Sequence, residues 1–311
     1  MELVCLAGGV ALNCVANGKV YRDGAFENIW IQPAAGDAGG SLGAALCAYH
    51  HFQNQPRPLN GQGDSMSGSY LGPEFSDDEI QMRLEAIGAK LTCLPTNNLI
   101  DNTAEALAEG KAVGWFQGRM EFGPRALGNR SILGDARSPD MQKNLNLKIK
   151  YRESFRPFAP SVRREEVSDW FEFDHDSPYM LLVADVAQHR QLQISEKDQS
   201  LFGIDRLNVL RSDIPAVTHV DYSARIQTVD KERNPLYHSL LTKFKELTDC
   251  PVLANTSFNV RGEPIVCTPE DAFRCFMGTE LDLLVIGNCL LRKLEQDESL
   301  KHEYKDSFVL D

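Results

Sequence analysis

The feature that most restricts how this chain can fold is a basic segment, residues 111–164, whose charged residues alternate with glycine, proline and phenylalanine. The segment holds 12 lysines and arginines against 4 aspartates and glutamates, in a chain whose net charge is −12. A charge run is by default a solvated helix face, but glycine and proline interrupt helices. The composition therefore predicts that the cations leave several separate bends of the backbone and converge.

Three parts of this segment supply the cations. The stretch "EFGPRALGNRSIL" carries Arg125 and Arg130 around a Leu-Gly-Asn turn. The stretch "SPDMQKNLNLKIK" predicts a helix with Ser138 as its N-cap and Lys150 at its C-terminus. The stretch "ESFRPFAPSV" carries Arg156 and becomes extended, because its two prolines exclude helix. Guanidinium forks and a mobile ammonium group suit phosphate oxygens, so the segment predicts one wall of an anion pocket.

Two later stretches extend the predicted pocket. The stretch "VTHVDYSARIQTV" alternates like a strand and carries Arg225 at a sheet edge. The stretch "CPVLANTSFNVRGEP" predicts a buried strand over residues 252–254, followed by a polar turn with Asn255 and Ser257. These two side chains either contact a nucleotide or only satisfy the backbone of the turn, and the sequence leaves both interpretations open.

Glycine loops occur twice in the first 50 residues. The stretch "LVCLAGGVALNCVANGKV" predicts a strand, a turn at Gly8 and Gly9, and a helix that ends at Asn17 and Gly18. The stretch "IWIQPAAGDAGGSLGAAL" repeats the order of strand, glycine loop and helix, with Asp37 in the loop. Such a loop presents the free N–H groups of a helix N-terminus to an anion. Two ordinary tight turns of an α/β sheet explain the pattern equally well.

Composition marks a domain boundary after these loops. Residues 52–78 are rich in Pro, Gly, Ser, Asn and Gln and lack hydrophobic periodicity, which indicates a linker or a long surface loop. We therefore predict a first unit at residues 1–51, a second domain at residues 79–300 and a tail at residues 301–311.

The overall composition restricts the class of protein. Hydrophobic residues make up 42% of the chain and charged residues 24%, as in soluble globular proteins. The acidic net charge argues against a nucleic-acid partner. The eight cysteines include no Cys-x-x-Cys pair, and the longest apolar stretch, "LDLLVIGNCLL", is too short to span a bilayer. Because the N-terminus also lacks the basic region of a signal peptide, the sequence predicts a cytoplasmic protein without a membrane partner.

Six blocks together carry a family resemblance: "LAGGVALNCVANGKV", "QPAAGDAGGSLGAAL", "EFGPRALGNRSIL", "KYRESFRPFAPSV", "HVDYSARIQTV" and "NTSFNVRGEPIVCTPEDA". In this order they resemble the family of nodulation protein U and of the cephalosporin and tobramycin O-carbamoyltransferases. The resemblance implies an α/β fold: a partial ASKHA (actin-like, Kae1-like) segment followed by a YrdC-like α/β domain with a twisted mixed sheet.

The resemblance also implies an ATP-dependent O-carbamoyltransferase. The YrdC-like domain would form carbamoyl adenylate from carbamoyl phosphate and ATP with Mg²⁺, releasing phosphate and pyrophosphate. The carbamoyl group would then pass to a hydroxyl group of a sugar, an antibiotic or another small molecule. By motif position, the resemblance assigns catalytic roles to Arg125, Lys150 and Arg156; substrate or nucleotide contacts to Arg225, Asn255, Ser257, Arg130, Gly8, Gly9 and Asn13; and a metal-ligand role to Asp37.

One expected part of the family pattern is missing from this chain. Family members carry a His-x-x-x-His metal pair before the "GGVALN" block, and none of the seven histidines here forms that pair. The chain thus resembles the C-terminal part of such an enzyme, and a divalent metal, iron by the resemblance, would need an N-terminal half that is a separate chain or has been lost by truncation. The sequence also leaves open whether the chain pairs with a second copy of itself as a homodimer. Two alternative functions stay open: a non-catalytic nucleotide-binding module and a threonylcarbamoyl-type tRNA-modification enzyme.

Overall fold

A nine-stranded mixed sheet forms the centre of the protein. The structure, a computed structural model, describes residues 3–57, 64–301, 304 and 308, and for Ile204 it describes the backbone only. The strands are β1 (Leu3–Leu6), β2 (Asn28–Ile31), β3 (Thr92–Cys93), β4 (Val113–Phe116), β5 (Arg130–Asp135), β6 (Ala159–Arg163), β7 (Leu182–Asp185), β8 (Ser223–Val229), β9 (Val252–Ser257), β10 (Leu283–Ile286) and β11 (Cys289–Arg292). The large sheet has the order β3-β11-β10-β4-β5-β9-β6-β8-β7. Its β4–β10 and β6–β8 pairs are parallel and its other pairs are antiparallel. The α/β class with a large mixed sheet is therefore confirmed.

Helices cover this sheet. They are α1 (Cys14–Asp23), α2 (Asp37–Cys47), α3 (Asp77–Ala86), α4 (Thr96–Ala108), α5 (Met141–Asn144), α6 (Val167–Trp170), α7 (Glu196–Gln199), α8 (Gly203–Leu207), α9 (Pro235–Thr248) and α10 (Pro269–Gly278). Helices α4 and α9 pack against each other and onto β4, β5, β6 and β9, while α3 packs against α10. Strands β4 and β5 are buried along their whole length, so the core lies at the middle of the sheet.

Residues 3–52 contain a separate, two-stranded parallel sheet, β1 with β2, and this first unit docks on the edge strand β7 of the large sheet through α1. The buried Asn17 side chain donates to the carbonyl of Leu181 at 3.1 Å, and Arg22 donates to the carbonyl of Val183 at 2.6 Å. A Cβ atom on Gly18 would lie 2.5 Å from that same carbonyl oxygen. Side-chain donors on α1 thus occupy backbone acceptors that an edge strand would otherwise expose.

Several element boundaries differ from the sequence-based predictions. Helix α1 continues through Asn17 and Gly18 and ends at Asp23, followed by Gly24 as its C-cap with a φ of +71°. Helix α2 begins at Asp37, so most of the second glycine loop is its first turn. Helix α5 has Asp140 rather than Ser138 at its N-cap. Residues 255–257 belong to strand β9 instead of a turn, because β9 is hydrogen-bonded on one side to β5 and on the other to β6.

The predicted linker is described at residues 52–57 and 64–78, and residues 58–63 lie outside the described part. Met66 and Ser69 are buried, and the Tyr70 hydroxyl donates to the carbonyl of Leu127 at 2.8 Å. This end of the segment therefore packs on the large domain, while the domain boundaries themselves stay a prediction.

One apolar surface is exposed on the first unit. Helix α2 contains no buried residue, and the π-helical segment Ala48–Phe52 that follows it contains none either. Leu46, Tyr49 and Phe52, at three-residue spacing, are 48%, 49% and 88% exposed.

No helix in the described ranges is long and apolar enough to cross a membrane.

Candidate substrate-binding site

The loop that carries Arg125 is held in shape by a buried carboxylate. Glu121 accepts the backbone N–H groups of Leu127 at 2.6 Å and of Asn129 at 2.9 Å. Gly128 has a φ of +104°, and a Cβ atom there would overlap the ring of Tyr237. The loop therefore requires glycine at this position for both its conformation and the close approach of Tyr237.

A cavity of about 300 Å³ opens beside this loop. Four of its lining residues are arginines from three different parts of the chain, and two of them, Arg125 and Arg156, belong to the cations predicted from the basic segment. The charged and polar residues that line it are Arg125, Arg152, Arg156, Arg225, Asn255, Thr256 and Ser257. Its remaining walls are proline, alanine, phenylalanine and methionine, and no acidic residue is among the lining residues.

A second cavity of about 280 Å³ adjoins the first. Arg152, Arg156 and Ser257 line both cavities. The second cavity is completed by Lys150, Asn259, Val260, Arg261 and Gly262. Six residues predicted from the sequence therefore converge on this pair of cavities, which we call the arginine cavity and the lysine cavity: Arg125, Lys150, Arg156, Arg225, Asn255 and Ser257.

The arginines of this site repel one another. Arg125, Arg152 and Arg225 make no ion pair with a carboxylate among the residues that the structure describes. Burial, followed by the charge of Arg125, lowers the pKa of Arg225 to about 10. Burial, followed by the charge of Arg156, lowers the pKa of Arg152 to about 10. A bound anion would replace this repulsion by attraction, so the site favours anionic ligands.

Lys150 is held at the wall of the lysine cavity and is only 3% exposed. Its Nζ donates to both the carbonyl and the hydroxyl oxygen of Ser257, and to the carbonyl and side-chain oxygens of Asn259. Burial is the main reason that the pKa of Lys150 falls to about 7, and the charge of Arg152 lowers it further.

Asn255 lines the arginine cavity and carries a side-chain acceptor that no described residue uses. Its Nδ2 group has three oxygen acceptors, on Ser161 at 3.0 Å, Gln227 at 2.8 Å and Ala126 at 3.3 Å. Its Oδ1 atom is buried and has no hydrogen-bond partner among the described residues. A buried acceptor without a donor is costly, so Asn255 is suited to a ligand that donates a hydrogen bond.

Arg130 lines neither cavity, so its role as a ligand-binding residue stays a prediction. Its guanidinium lies over the ring of Phe116, 3.4 Å from the centroid, and donates to the carbonyls of Gln117, Asn129 and Pro73. Strand β5 pairs Arg130 directly opposite Phe116, and this register turns the side chain into the core.

The predicted residues of the first unit also lie outside the two cavities. Gly8 has a φ of +89°, and Asn13 caps α1 by accepting the N–H of Ala16 at 3.1 Å. Asp37 is exposed at the start of α2. In the described part of the chain, no three His, Cys, Asp or Glu residues are placed to hold a metal ion. The residues present therefore do not fit a metal site around Asp37, whose ligand role stays a prediction.

Sequence reasoning missed four residues of the site. Arg152 stands two residues after Lys150 in a block that was otherwise recognised, and Asn259 and Arg261 follow Ser257 closely. The sequence signal that could have found Arg152, Asn259 and Arg261 is that each lies in a stretch already predicted to line the pocket. Glu121 carried no signal of its own, because its role depends on three-dimensional contacts with the Arg125 loop.

Fold and site together define an α/β protein with two adjoining cavities lined by arginine and lysine. Comparison with known families identifies the class further. A family model described as "Carbamoyltransferase C-terminus" matches residues 104–293, and one described as "Carbamoyltransferase N-terminus" matches residues 1–46. The chain belongs to the carbamoyltransferase family, as the sequence blocks predicted.

Individual relatives agree with this assignment. The chain is 58% identical to an uncharacterized protein of Synechocystis, over 98% of this chain and 51% of that one. It is 40% identical to nodulation protein NolO of Bradyrhizobium diazoefficiens, over 94% of this chain and 50% of that one. It is 33% identical to the 3'-hydroxymethylcephem-O-carbamoyltransferase of Streptomyces clavuligerus, over 93% of this chain and 48% of that one. The chain thus spans about half the length of these relatives.

Proposed function

We propose that this chain supplies the carbamoyl-activating part of an ATP-dependent O-carbamoyltransferase. The observation that carries the proposal is the group of Arg125, Arg152 and Arg225, which line two adjoining cavities and form no ion pair with a carboxylate among the described residues. Two polyanionic substrates, carbamoyl phosphate and ATP, match two adjoining cationic cavities, and bringing them together requires fixed positive charge between their phosphate groups.

Asn255 favours a carbamoyl donor over a plain acyl phosphate. The arginine cavity is lined with cationic donors, whereas the Oδ1 atom of Asn255 is an acceptor without a partner in the described structure. A carbamoyl group carries an NH₂ that can donate to this atom, and an acetyl group does not. Leaving the acceptor unpaired should therefore disfavour acetyl phosphate.

The proposed chemistry has two steps. In the first, one water molecule cleaves carbamoyl phosphate to carbamate and phosphate, and a carbamate oxygen displaces pyrophosphate from the α-phosphorus of ATP to give carbamoyl adenylate. In the second, a hydroxyl oxygen of the acceptor attacks the carbamoyl carbon. AMP leaves with the electrons of the broken C–O bond, and the hydroxyl proton is released.

The two steps are assigned to different parts of the enzyme. We assign the first to residues 79–300, as a YrdC-like domain, and regard residues 1–51 as part of an ASKHA-type domain that carries out the second. The exposed apolar surface of Leu46, Tyr49 and Phe52 suits contact with further protein of that domain. That further protein would also have to supply the remaining ligands of a metal site at Asp37.

Pyrophosphate release from ATP tests the proposal. The chain should release pyrophosphate with carbamoyl phosphate and do so at least about tenfold more slowly with acetyl phosphate. Bicarbonate with threonine, which a threonylcarbamoyl-type enzyme would use, should give no release. Arg125→Gln should abolish the reaction, while Arg137→Gln, whose side chain pairs with Asp135 outside both cavities, should not.

Two results would count against this function. Pyrophosphate release with bicarbonate and threonine alone would favour the tRNA-modification alternative. ATP binding without any pyrophosphate release would favour a nucleotide-binding module.

A further inference from the structure

Cys93 and Cys289 lie directly opposite each other on two neighbouring antiparallel strands at the edge of the large sheet. Cys93 belongs to the outermost strand β3, and its register partner on β11 is Cys289. The Sγ atoms of the two residues are 3.1 Å apart. Both residues are free thiols, so the sheet brings together two cysteines that are 196 positions apart in the sequence.

The backbone around this pair suits a covalent bond between the two sulfur atoms. The N–H group of Leu94 donates to the carbonyl of Asn288 at 2.9 Å, so the adjacent pair of residues is the hydrogen-bonded one. Cys93 and Cys289 therefore occupy a non-hydrogen-bonded position of the antiparallel ladder, where opposite Cα atoms are about 4.5 Å apart. Disulfides join residues whose Cα atoms are about 4.4–6.8 Å apart. The two strands can thus accept the bond in the positions that they already hold.

The two thiols differ in their access to solvent. Cys93 is exposed, and Cys289 is fully buried. Burial, followed by the hydrogen bond with Cys93, raises the pKa of Cys289 well above its ordinary value. The thiolate is the reactive form of cysteine and an external reagent has to reach it, so Cys93 is the first of the two to react. Cys289 then lies beside whatever group is attached to the Cys93 sulfur.

We propose that Cys93 and Cys289 form a thiol–disulfide modification site, at which a small disulfide of the glutathione type links β3 to β11. The Cys93 thiolate attacks one sulfur of the reagent, forms a mixed disulfide and releases one thiol. The Cys289 sulfur, after losing its proton, attacks the Cys93 sulfur and releases the second thiol. Two cysteine thiols are thereby oxidised to one protein disulfide. Their two electrons and two protons pass to the reagent, which leaves as two thiols.

The bond attaches the edge strand of the sheet covalently. Strand β3 has only two residues and connects α3 to α4. A link between residues so far apart in the sequence also restricts the unfolded chain. Oxidation should therefore stabilise the protein, and reduction should reverse the effect. The site is independent of the proposed carbamoyl chemistry, since the strands of Arg225 and Asn255, β8 and β9, lie beyond the middle strand β5.

Peptide mapping of the 311-residue chain tests this inference. The reduced protein is incubated with oxidised glutathione, free thiols are blocked with N-ethylmaleimide, and proteolytic peptides are analysed by mass spectrometry without reduction. The wild type should yield two peptides joined through Cys93 and Cys289, from a chain that runs as a monomer on a non-reducing denaturing gel. Its melting temperature should rise by several degrees on oxidation, and dithiothreitol should reverse both changes.

Three serine variants test the order of the two steps. Cys289→Ser should stop at the mixed disulfide, with glutathione attached to Cys93. Cys93→Ser should leave Cys289 unmodified, because Cys289 is buried. Cys47→Ser is the matched control: it removes another exposed cysteine, on α2, and should form the link as the wild type does.

Each of three results would overturn the inference and leave the proposed function unaffected. Unmodified thiols in the wild type, or glutathione retained on Cys93 without the linked peptides, would mean that the pair does not form a disulfide. Linked peptides found only in a dimer band would place the bond between two chains. An unchanged melting temperature of the linked protein would show that the bond does not stabilise the attachment of β3.

Discussion

Lys150 donates to two different oxygen atoms of Asn259, its carbonyl and its Oδ1, each at 2.8 Å. The ammonium is thus held by neutral acceptors instead of a carboxylate, in a position that is almost fully buried. Burial first, and the charge of Arg152 second, lower the pKa of Lys150 to about 7, while Cys275 and Glu263 act in the opposite direction. The charge of the lysine cavity therefore changes near neutral pH.

Anion binding should weaken as the pH rises through about 7. Lys150 loses its proton in this range, so its attraction for an anion is lost. Sulfate is the appropriate probe because its own charge is constant there, and its dissociation constant would be measured by calorimetry between pH 6 and pH 9. Lys150→Arg cannot lose its charge in this range and should remove most of the dependence. An unchanged pH profile in Lys150→Arg would contradict the assignment to Lys150.

Lys150 should also make folding stability depend on pH, with the opposite sign. Its pKa in the folded protein is about 7, below the ordinary value of 10.5. Between these values the unfolded chain binds more protons, so the free energy of unfolding contributed by Lys150 increases with pH, by up to about 1 kcal/mol per unit. Urea unfolding at pH 7 and pH 9.5, with sulfate absent, should show this increase in the wild type and a smaller one in Lys150→Met.

Arg225→Met should stabilise the ligand-free protein while it weakens anion binding. The guanidinium of Arg225 is desolvated and is repelled by Arg125 and Arg152. Removing it should raise the free energy of unfolding by about 0.5–1.5 kcal/mol, as is common where a binding site is strained for function. The difference should shrink or reverse in saturating sulfate, which stabilises only the protein that binds it. If Arg225→Met is less stable than the wild type without sulfate, other contacts of Arg225 already outweigh its repulsion by Arg125 and Arg152.

The sequence predicts those parts of the site that depend on local backbone bends, and it does not predict those that depend on how strands pair. Arg125 and Arg156 converge as expected, because glycine and proline determine locally where the backbone bends, and Arg225 joins them from strand β8. Arg130 has the same side chain in the same motif, yet it is turned into the core by its register opposite Phe116. That register depends on strand pairing, which residue types alone do not specify when both faces of a strand are buried.

Asn255 is a second case in which strand pairing decides the structure: the sequence predicts a turn there, and the structure has a strand. Asparagine and serine after an apolar run favour a turn, but here they continue strand β9 because β9 has partners on both sides. A central position in the sheet is a property of the tertiary structure. The same position gives Asn255 its three acceptors and leaves its Oδ1 atom without a donor.

Arg130→Met should lower stability strongly, with no selective effect on anion binding. The substitution removes the donors to the carbonyls of Gln117, Asn129 and Pro73 and leaves these groups without that partner in the core. We expect a loss of about 3–5 kcal/mol in the free energy of unfolding, measured with urea. The folded fraction should bind sulfate as the wild type does. A stable Arg130→Met protein that fails to bind sulfate would instead support the role predicted from the sequence.

Gly18→Ala should loosen the attachment of the first unit to the large domain. Alanine is the better helix former by about 1 kcal/mol, so an isolated α1 would gain stability. In the folded protein, however, the added Cβ atom would lie 2.5 Å from the carbonyl oxygen of Val183, which is backbone and cannot move away easily. Such overlap costs about 1–3 kcal/mol. The helix gain is present whether or not α1 is docked, whereas the overlap exists only in the docked state, so α1 should separate from β7 more often.

Hydrogen exchange measures this separation directly. Amide protons of α1 should exchange faster in Gly18→Ala than in the wild type, while those of the fully buried strand β4 should not change. Gly43→Ala is the matched control, since Gly43 lies in α2 and a Cβ atom there meets nothing within 4 Å. It should exchange no faster than the wild type. Equal protection of α1 in the two variants would mean that the close contact between Gly18 and Val183 does not hold the first unit on β7.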